Sequence, residues 1–351
     1  MREALLDNGI RVVTERRPDV RSAAVGVWVD QGSAHETPES GGASHLIEHL
    51  VFKGTERRTA HEIALSLESL GGTLDAYTTR EHTSYQAHVL DEHLPVAIDV
   101  LADLVLHPRL DPHDLELEKD VVIEEIAGVE DTPDDLIFDL HGAKLWNGHT
   151  YGRPILGTRE TVRGFQIDEL RSLHSERYRG RNIVLGCVGN FEHEEVVNRL
   201  AELFGEVAPG QASPRIAEPE ATISGRTSVV RDAAQAHLVI GNSTPPYSDP
   251  IRNALILISG AFGGGMSSRL FQRIREELAL AYAVFSFQSF YSKAGLAGVY
   301  VGTRPEACER ALEGILSEYA KLYEHGIKSE ELEQAKSHAK GRSILAMEST
   351  G

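Results

Sequence analysis

Hydrophobic and polar positions along this chain follow two periods, so both strands and helices are predicted. Alternation of apolar and polar residues, or a short apolar run between turn residues, is typical of strands. Strands are therefore predicted at 10–14, 23–29, 73–78, 83–89 and 182–188. Apolar residues spaced three and four apart indicate helices instead. Helices are predicted within 41–52 and at 61–70, 93–106, 112–130, 134–145, 166–178 and 193–204.

The second half of the chain loosely repeats this order of elements. Its predicted strands are 236–241, 282–291 and 295–301, and its predicted helices are 249–262, 267–278, 305–323 and a last one from Ser329 onward. This repetition predicts a duplicated unit of the α+β class. Counterparts of the strand at 182–188 and of the helix after it do not follow before Gly351, so the second unit is expected to be incomplete at its C-terminal side.

Turn residues between the two halves suggest where the domains divide. The stretch from Pro209 to Pro214 is rich in proline, glycine and serine, which is typical of a linker. We expect a first domain over 1–208, a linker over 209–220 and a second domain over 221–351.

Composition narrows the possible classes of function. The 53 acidic residues outnumber the 35 Lys and Arg residues, and the net charge of −18 argues against binding to nucleic acid or to anionic membranes. No stretch approaches the roughly twenty apolar residues of a membrane span, and the N-terminus lacks the apolar region of a signal peptide. Cys187 and Cys308 lie in apolar segments and are interpreted as buried free thiols of a reducing compartment. A cytoplasmic protein is expected.

The stretch from Gly41 to Phe52 carries the strongest candidate chemistry. His45 and His49 are four positions apart, so on a helix their side chains point to the same side. Imidazole nitrogens suit zinc, and Glu48 beside them could take a proton from water at such a metal. The order His-x-x-Glu-His is the reverse of the more common metalloprotease motif.

A polar helix face with two incidental histidines is the alternative interpretation of this motif. However, the neighbours Leu46, Ile47, Leu50, Val51 and Phe52 are apolar, which indicates a largely buried helix. Unpaired polar groups are costly inside such a helix, so the histidines and the glutamate need partners. A shared metal is the simplest partner, and a metal site is therefore predicted.

A further ligand is expected from the stretch 115–126. A catalytic zinc site has three protein ligands and leaves one position for water. In a helix, Glu118 and Glu125 lie two turns apart on an otherwise apolar stripe, whereas Glu124 points elsewhere. We predict Glu125 as the third ligand and Glu118 as a carboxylate that orients a ligand or shares the proton transfer. A surface ion pair is the alternative for Glu118.

With Glu125 placed 76 positions after His49, the motif resembles the insulinase or pitrilysin family of inverted-zincin metallopeptidases, in its bacterial branch similar to mitochondrial processing peptidase. The resemblance extends over nearly the whole chain. It is carried also by Gly41-Gly42-Ala43-Ser44-His45, Phe52-Lys53-Gly54-Thr55, Asp75-Ala76-Tyr77-Thr78-Thr79-Arg80-Glu81, Gly152-Arg153-Pro154-Ile155-Leu156-Gly157-Thr158 and Gly263-Gly264-Gly265-Met266-Ser267-Ser268-Arg269-Leu270-Phe271.

This resemblance implies a fold, an activity and a cofactor. The implied fold has two homologous α/β-sandwich units of the processing-peptidase/LuxS-like metallohydrolase type. The implied activity is that of a zinc endopeptidase cutting peptides or unfolded segments. One Zn²⁺ per chain would be held by His45, His49 and Glu125, with Glu48 as the base.

The substrate-binding residues are likewise implied by the resemblance. Asp75, Ala76 and Tyr77 lie on a predicted strand that would pair with the substrate backbone. Asp75 departs from the family, which usually has Asn there. Arg275 and Tyr282 have the spacing of a family pair that binds substrate carbonyls. From the residues alone, the favoured interpretation is that Arg275 lies on an ordinary charged helix face and that Tyr282 is a core residue. Only the resemblance of the surrounding sequence to the family favours substrate binding.

Rival functions stay open beside the peptidase. The family contains inactive members, so a non-catalytic or assembly subunit of a heterodimeric peptidase is one alternative, against which the intact motif argues. A metal-dependent hydrolase of a non-peptide is another, against which Arg275 and Tyr282 argue. The resemblance also implies a homodimer, or a heterodimer with a related subunit, in which this pair faces the partner's zinc.

Overall fold

The computed structural model describes residues 1–220 and 224–348, which form two compact units. The first unit comprises Met1–Ala127 and Arg153–Ile216, and the second comprises Gly128–Gly152 and Ala217–Glu348. Each unit combines helices with one sheet, so the α+β class is confirmed. The predicted start of the second domain at 221 and the last three residues of the chain lie outside the described residues.

Six strands form the sheet of the first unit. In chain order they are β1 (Arg2–Leu5), β2 (Arg11–Arg16), β3 (Ser22–Val29), β4 (Thr73–Thr78), β5 (Thr83–Leu90) and β6 (Ile183–Gly189). Their order across the sheet is β1-β2-β6-β3-β5-β4, in which only β2 and β6 run parallel. Strand β6 lies between β2 and β3, and its residues are buried or half-buried, which explains its continuous apolar sequence.

Helices pack with this sheet around one core. They are α1 (Ala43–Val51), α2 (Ala60–Glu68), α3 (Leu94–Leu106), α4 (Pro112–Asp131), α6 (Arg159–Gly164), α7 (Ile167–Arg177) and α8 (His193–Phe204). Helix α5 (Pro133–Leu145) belongs to the second unit. The core includes the fully buried Leu46 and Ile47 of α1 and Leu101 of α3. The predicted burial of the helix within 41–52 is thus confirmed.

Strand β4 lies at one edge of the sheet. It pairs with β5 on one side, and no described residue pairs with its other side. Leu74, Ala76 and Thr78 are half-buried, whereas the alternating residues Asp75 and Tyr77 are exposed. The sequence therefore correctly predicted both the strand and its alternation. The backbone N–H and C=O groups on the open side of β4 are available to another extended chain.

Close backbone contacts fix where α1 begins. Gly42 precedes the helix with a φ of +94°, a conformation that residues with a side chain rarely adopt. A Cβ atom at Gly157, where φ is +75°, would lie 2.2 Å from the backbone oxygen of Gly41. The buried carboxylate of Glu36 accepts hydrogen bonds from the backbone N–H groups of Gly42 and Ser44 at 2.8 and 2.7 Å. A negative charge at a helix N-terminus is favoured by the helix dipole.

Charged residues hold the turn that follows α1. Asp103 of α3 is buried, and its carboxylate accepts a hydrogen bond from Thr55 at 2.8 Å. The same carboxylate forms ion pairs with Arg57 and Arg58 at 3.0 and 2.5 Å. A buried charge is tolerated when its hydrogen-bonding capacity is met in this way. Helix α1 is therefore fixed at both of its ends.

The second unit repeats the order of three strands from the first. Its strands are β7 (Ala236–Thr244), β8 (Ala281–Phe290) and β9 (Gly295–Thr303), in the antiparallel order β7-β9-β8. Its later helices are α9 (Ile251–Gly263), α10 (Cys308–His325) and α11 (Ser329–Met347). This order matches β3-β5-β4, which agrees with the predicted duplication. Within the described residues the sheet has no counterparts of β6, β2 and β1.

Helix α5 packs in the second unit, although the predicted boundary assigns its residues to the first domain. The ring of Phe138 contacts those of Phe287 and Tyr300, with centroids 5.0 and 5.8 Å apart. These rings belong to β8 and β9, so the apolar residues of α5 pack against strands far along the chain. A boundary placed along the sequence could not show such a non-local contact.

Three elements differ from the predicted ones. Strand β1 was not predicted because its residues are mostly exposed, and pairing with β2 across the turn at Asn8-Gly9 stabilises it. Helix α6 is only six residues long, too short for a periodic pattern, and Thr158 caps it. The helix predicted at 267–278 is π-helical over Phe271–Glu277.

Two predictions about the chain as a whole can be compared with the structure. Among the described residues, no helix has both the length and the apolar composition needed to cross a bilayer. Cys187 and Cys308 are both free, as predicted. Cys187 is buried but Cys308 is only partly so, because Cys308 begins α10 at a helix end.

The contact at Gly157 leads to a prediction about stability. Changing Gly157 to Ala combines an unfavourable φ with a clash, whereas Gly71→Ala at nearly the same φ of +73° meets nothing within 4 Å. We expect Gly157→Ala to lower the free energy of unfolding by about 1–3 kcal/mol more than Gly71→Ala does. Urea unfolding of both variants measures the difference. Equal losses would show that the contact with Gly41 does not constrain the fold.

Candidate metal centre

The two histidines of the motif share one side of α1. His45 is 7% exposed, and its ring centroid lies 4.6 Å from that of His49 with the ring planes at 61°. Their spacing of four residues produces this proximity because successive turns of a helix stack above one another. The predicted arrangement of the two imidazoles is therefore observed.

Glu125 of α4 brings a carboxylate to the same place. Its Oε2 lies 3.6 Å from Nε2 of His45 and 3.8 Å from Nε2 of His49. A tetrahedral ion with bonds of about 2.0–2.1 Å separates its ligand atoms by roughly 3.4 Å, so the three atoms are spaced to share one zinc ion. Within the described parts of the chain, no other group of His, Cys, Asp and Glu side chains is gathered in this way.

The protonation of His45 also fits a metal. Burial, followed by the nearby His49, lowers the pKa of His45 to about 4. Its imidazole is therefore neutral at neutral pH, and a neutral imidazole is the form that binds a metal. The side chain of Glu125 is 45% exposed, so the cluster is open on that side and leaves room for water or a substrate. Nδ1 of His45 is buried and has no hydrogen-bond partner among the described residues.

Glu118 lies behind His49 rather than at the surface. It is 4% exposed, and its Oε2 lies 3.0 Å from Nδ1 of His49. Its other oxygen, Oε1, lies 2.6 Å from Nζ of Lys53. A carboxylate that accepts from Nδ1–H holds the imidazole so that Nε2 faces the metal. The contact with His49 is the one that the predicted orienting role requires, and that role stays a prediction. The alternative ion pair is also present, with Lys53, but it lies at a buried side chain and not at the surface.

Glu48 lies between the candidate metal ligands and the edge strand. Its Oε2 accepts a hydrogen bond from Oγ1 of Thr78 at 2.5 Å. Burial raises the pKa of Glu48, while the bond from Thr78 acts in the opposite direction. A raised pKa makes a carboxylate a stronger proton acceptor, which suits a general base.

The predicted substrate residues Asp75, Ala76 and Tyr77 all lie on β4. Asp75 and Tyr77 are exposed on one face of the strand, and Ala76 lies on the other. Asp75 pairs with Gln86 of β5 through the backbone. The strand that carries them also carries Thr78, so it is attached directly to Glu48. Their binding of a substrate stays a prediction.

Arg275 and Tyr282 come together within the second unit. The guanidinium carbon of Arg275 lies 4.8 Å from the centre of the Tyr282 ring and 4.7 Å from that of Phe271. Tyr282 is 77% exposed, so it is not the core tyrosine that the alternative interpretation required. Both side chains are available at the surface of their unit, and their role toward a substrate stays a prediction.

Sequence reasoning missed Lys53 as part of the site, and it placed Thr78 on the substrate strand without predicting its contact with Glu48. Lys53 lies in the stretch Phe52-Lys53-Gly54-Thr55, which carries the family resemblance but which has no periodic pattern to interpret. Thr78 could have been found, because strand alternation places it on the same face as Ala76 and away from Tyr77.

Comparisons with known proteins agree with this geometry. A family model described as "Insulinase (Peptidase family M16)" matches residues 11–159, and one described as "Peptidase M16 inactive domain" matches residues 164–338. An uncharacterized zinc protease of Mycobacterium leprae is 42% identical over 98% of this chain and 78% of its own length. One of Bacillus subtilis is 40% identical over 98% of this chain and 83% of its own length.

Two solved structures share the fold. A peptidase M16 inactive domain from Pseudomonas fluorescens has a TM-score of 0.93 at 19% identity, over 99% of this chain and 85% of the other. A protease from Helicobacter pylori has a TM-score of 0.92 at 22% identity, over 99% and 86%. The fold expected from the resemblance is therefore confirmed.

The ligand cluster predicts how zinc content responds to mutation. Changing His49 to Ala removes one of three ligands, so purified protein should lose most of its zinc, while His61→Ala on the exposed part of α2 should keep it. Elemental analysis of both variants measures the zinc per chain. One tightly held zinc in the His49→Ala protein would contradict the ligand assignment.

Proposed function

Because this chain belongs to the insulinase (peptidase M16) family, we propose that it is a zinc-dependent endopeptidase that hydrolyses peptides or unfolded segments. The observation that carries the proposal is the cluster of His45, His49 and Glu125 with Glu48 beside it. Relatives at about 40% identity are named zinc proteases, which supports the same activity.

The residues of the site divide the reaction between them. Bound zinc would polarise the scissile carbonyl and make the attacking water more acidic. Glu48 takes the proton from that water and later delivers it to the leaving amine. Glu118 keeps the ring of His49 oriented through Nδ1, and Lys53 holds Glu118 from its other side.

Strand β4 is proposed to hold the peptide. A peptide that adds to its open edge would form backbone hydrogen bonds that do not depend on side chains, so a loose sequence preference is expected. Asp75 and Tyr77 project from this strand on one face and would contact side chains of the peptide. Arg275 and Tyr282 are proposed to bind carbonyl oxygens of the substrate near the scissile bond.

A non-catalytic subunit is the second candidate function. It is favoured by one observation, the match of residues 164–338 to a model described as inactive. The intact Glu48 and the three gathered ligand side chains lie outside that range and favour the enzyme. Cleavage of a quenched fluorescent peptide, lost with a chelator and restored by zinc, would distinguish the two functions.

The two free cysteines bear on the compartment. Cys187 and Cys308 are unpaired, which accords with a reducing environment. We place the enzyme in the cytoplasm as part of the same proposal.

The general-base assignment predicts the behaviour of one conservative variant. Glu48→Gln keeps the shape of the side chain but cannot accept the proton, so turnover should fall by about 10²–10⁴-fold or more while zinc is retained. Glu68→Gln on the exposed face of α2 is the matched control and should leave turnover unchanged. Steady-state cleavage by zinc-loaded protein measures both, and near-normal turnover of Glu48→Gln would rule out its role as the base.

A dimer is proposed in which Arg275 and Tyr282 act at the partner's metal centre. Mixing inactive Glu48→Gln with inactive Arg275→Ala chains would then recreate one complete site in each mixed dimer. About one quarter of wild-type activity is expected from a random mixture. Arg273→Ala, which removes an ion pair with Glu277, is the control and should be active by itself. No recovery despite demonstrated subunit exchange would contradict sharing between chains.

A further inference from the structure

Thr78 contacts Glu48, the proposed general base. Its Oγ1 lies 2.5 Å from Oε2 of Glu48. A carboxylate can only accept hydrogen bonds, so the threonine hydroxyl is the donor. Thr78 is the last residue of β4 and Glu48 belongs to α1, so this bond joins the edge strand to the helix that carries the histidines.

The surroundings of the Thr78 hydroxyl keep its proton directed toward Glu48. Thr83, which pairs with Thr78 across β4 and β5, is fully buried and donates its own hydroxyl proton to the backbone oxygen of Gln31 at 2.9 Å. Its Oγ1 lies 3.4 Å from Oγ1 of Thr78 and can only accept from it. The carboxylate is both closer and charged, so it is the stronger acceptor.

We propose that Thr78 is a positioning residue for Glu48, holding Oε2 so that Oε1 is the oxygen that exchanges protons with water and amine. The inference rests on the proposed peptidase function. Within the described part of the chain, Oε1 of Glu48 forms no hydrogen bond, whereas Oε2 is engaged by Thr78. The two oxygens of the carboxylate therefore have separate tasks.

This division is consistent with each step of peptide hydrolysis. The oxygen of water bonds to the carbonyl carbon, and the proton that it loses moves to Oε1 of Glu48. When the bond from that carbon to nitrogen breaks, the same proton passes to the leaving nitrogen and Glu48 is again a carboxylate. Oε2 keeps lone pairs throughout, so the bond from Thr78 persists and fixes the side chain without competing for the proton.

The position of Thr78 also connects substrate and base. A peptide added to β4 would lie along the strand that ends in Thr78, so one element would orient both the scissile bond and Glu48. A small displacement of a reacting group costs up to about 10²-fold in rate, so this link should appear in turnover rather than in binding.

The test compares variants that keep or remove the hydroxyl. Thr78→Val preserves the branched shape and the preference for a strand, but it removes the donor. We expect kcat to fall by about 10-fold to 100-fold with KM changed less than about twofold and zinc content unchanged. Thr78→Ser retains the donor and should restore most of the lost turnover. If the valine variant does not fold, Thr78→Ala removes the same donor and carries the same expectation.

Two further measurements separate positioning from a general effect on structure. Thr244 also ends a strand, and its hydroxyl donates to the backbone oxygen of Pro245 at 3.3 Å, so Thr244→Val is the matched control and should keep normal kcat. Adding Thr78→Val to Glu48→Gln should cause no further loss, because the threonine acts through the glutamate.

The outcomes distinguish this inference from the function on which it rests. Three results together support the positioning role. The kcat falls in Thr78→Val, it is largely restored in Thr78→Ser, and Thr78→Val causes no added loss of turnover in the Glu48→Gln background. An active wild type in which Thr78→Val keeps normal kcat overturns this inference alone. The inference is also overturned if Thr78→Val lowers turnover in the Glu48→Gln background by the same factor as in the wild type. A zinc-loaded wild type that cleaves no peptide overturns the proposed function and this inference together.

Discussion

The burial of polar side chains in an apolar helix is the constraint on which the site depends. Helix α1 is lined by core residues, yet it carries two imidazoles and a carboxylate that are costly to bury unpaired. Two of the three have a hydrogen-bond partner on another element: His49 contacts Glu118 of α4, and Glu48 contacts Thr78 of β4. His45 lies 3.6 Å from Glu125 of α4. The contacts that make these groups tolerable in the core are therefore the same contacts that arrange them around one point.

Rigidity at both ends of α1 makes this arrangement specific. At its start, the backbones at Gly42 and Gly157 come too close for any side chain, and Glu36 accepts from two backbone N–H groups. After its end, the buried Asp103 holds Arg58 and the rest of the turn. A zinc site and a general base need positions held to within fractions of an ångström, and side chains on a fixed helix satisfy this better than side chains on a loop.

Local patterns predicted most of the fold and the three side chains that the structure gathers at the candidate metal centre. Four-residue spacing was enough to bring His45 and His49 together. The apolar stripe of the later helix drew attention to both Glu118 and Glu125, of which Glu125 was predicted as the ligand. Long-range contacts were not predictable in this way. The packing of α5 with the second unit depends on aromatic rings some 150 residues away, and Lys53 reaches Glu118 only because a turn folds back on α4. Thr78 is an intermediate case, since alternation gives its face but not its partner.

We propose that two imidazoles of one helix and one carboxylate of another hold a single zinc ion with an open position. X-ray absorption at the zinc edge of the purified, zinc-loaded protein tests it most directly. We expect four nitrogen or oxygen ligands at about 2.0–2.2 Å, two of them imidazoles, with one imidazole lost in the His45→Ala variant. A sulfur ligand, or an unchanged number of imidazoles in that variant, would contradict it.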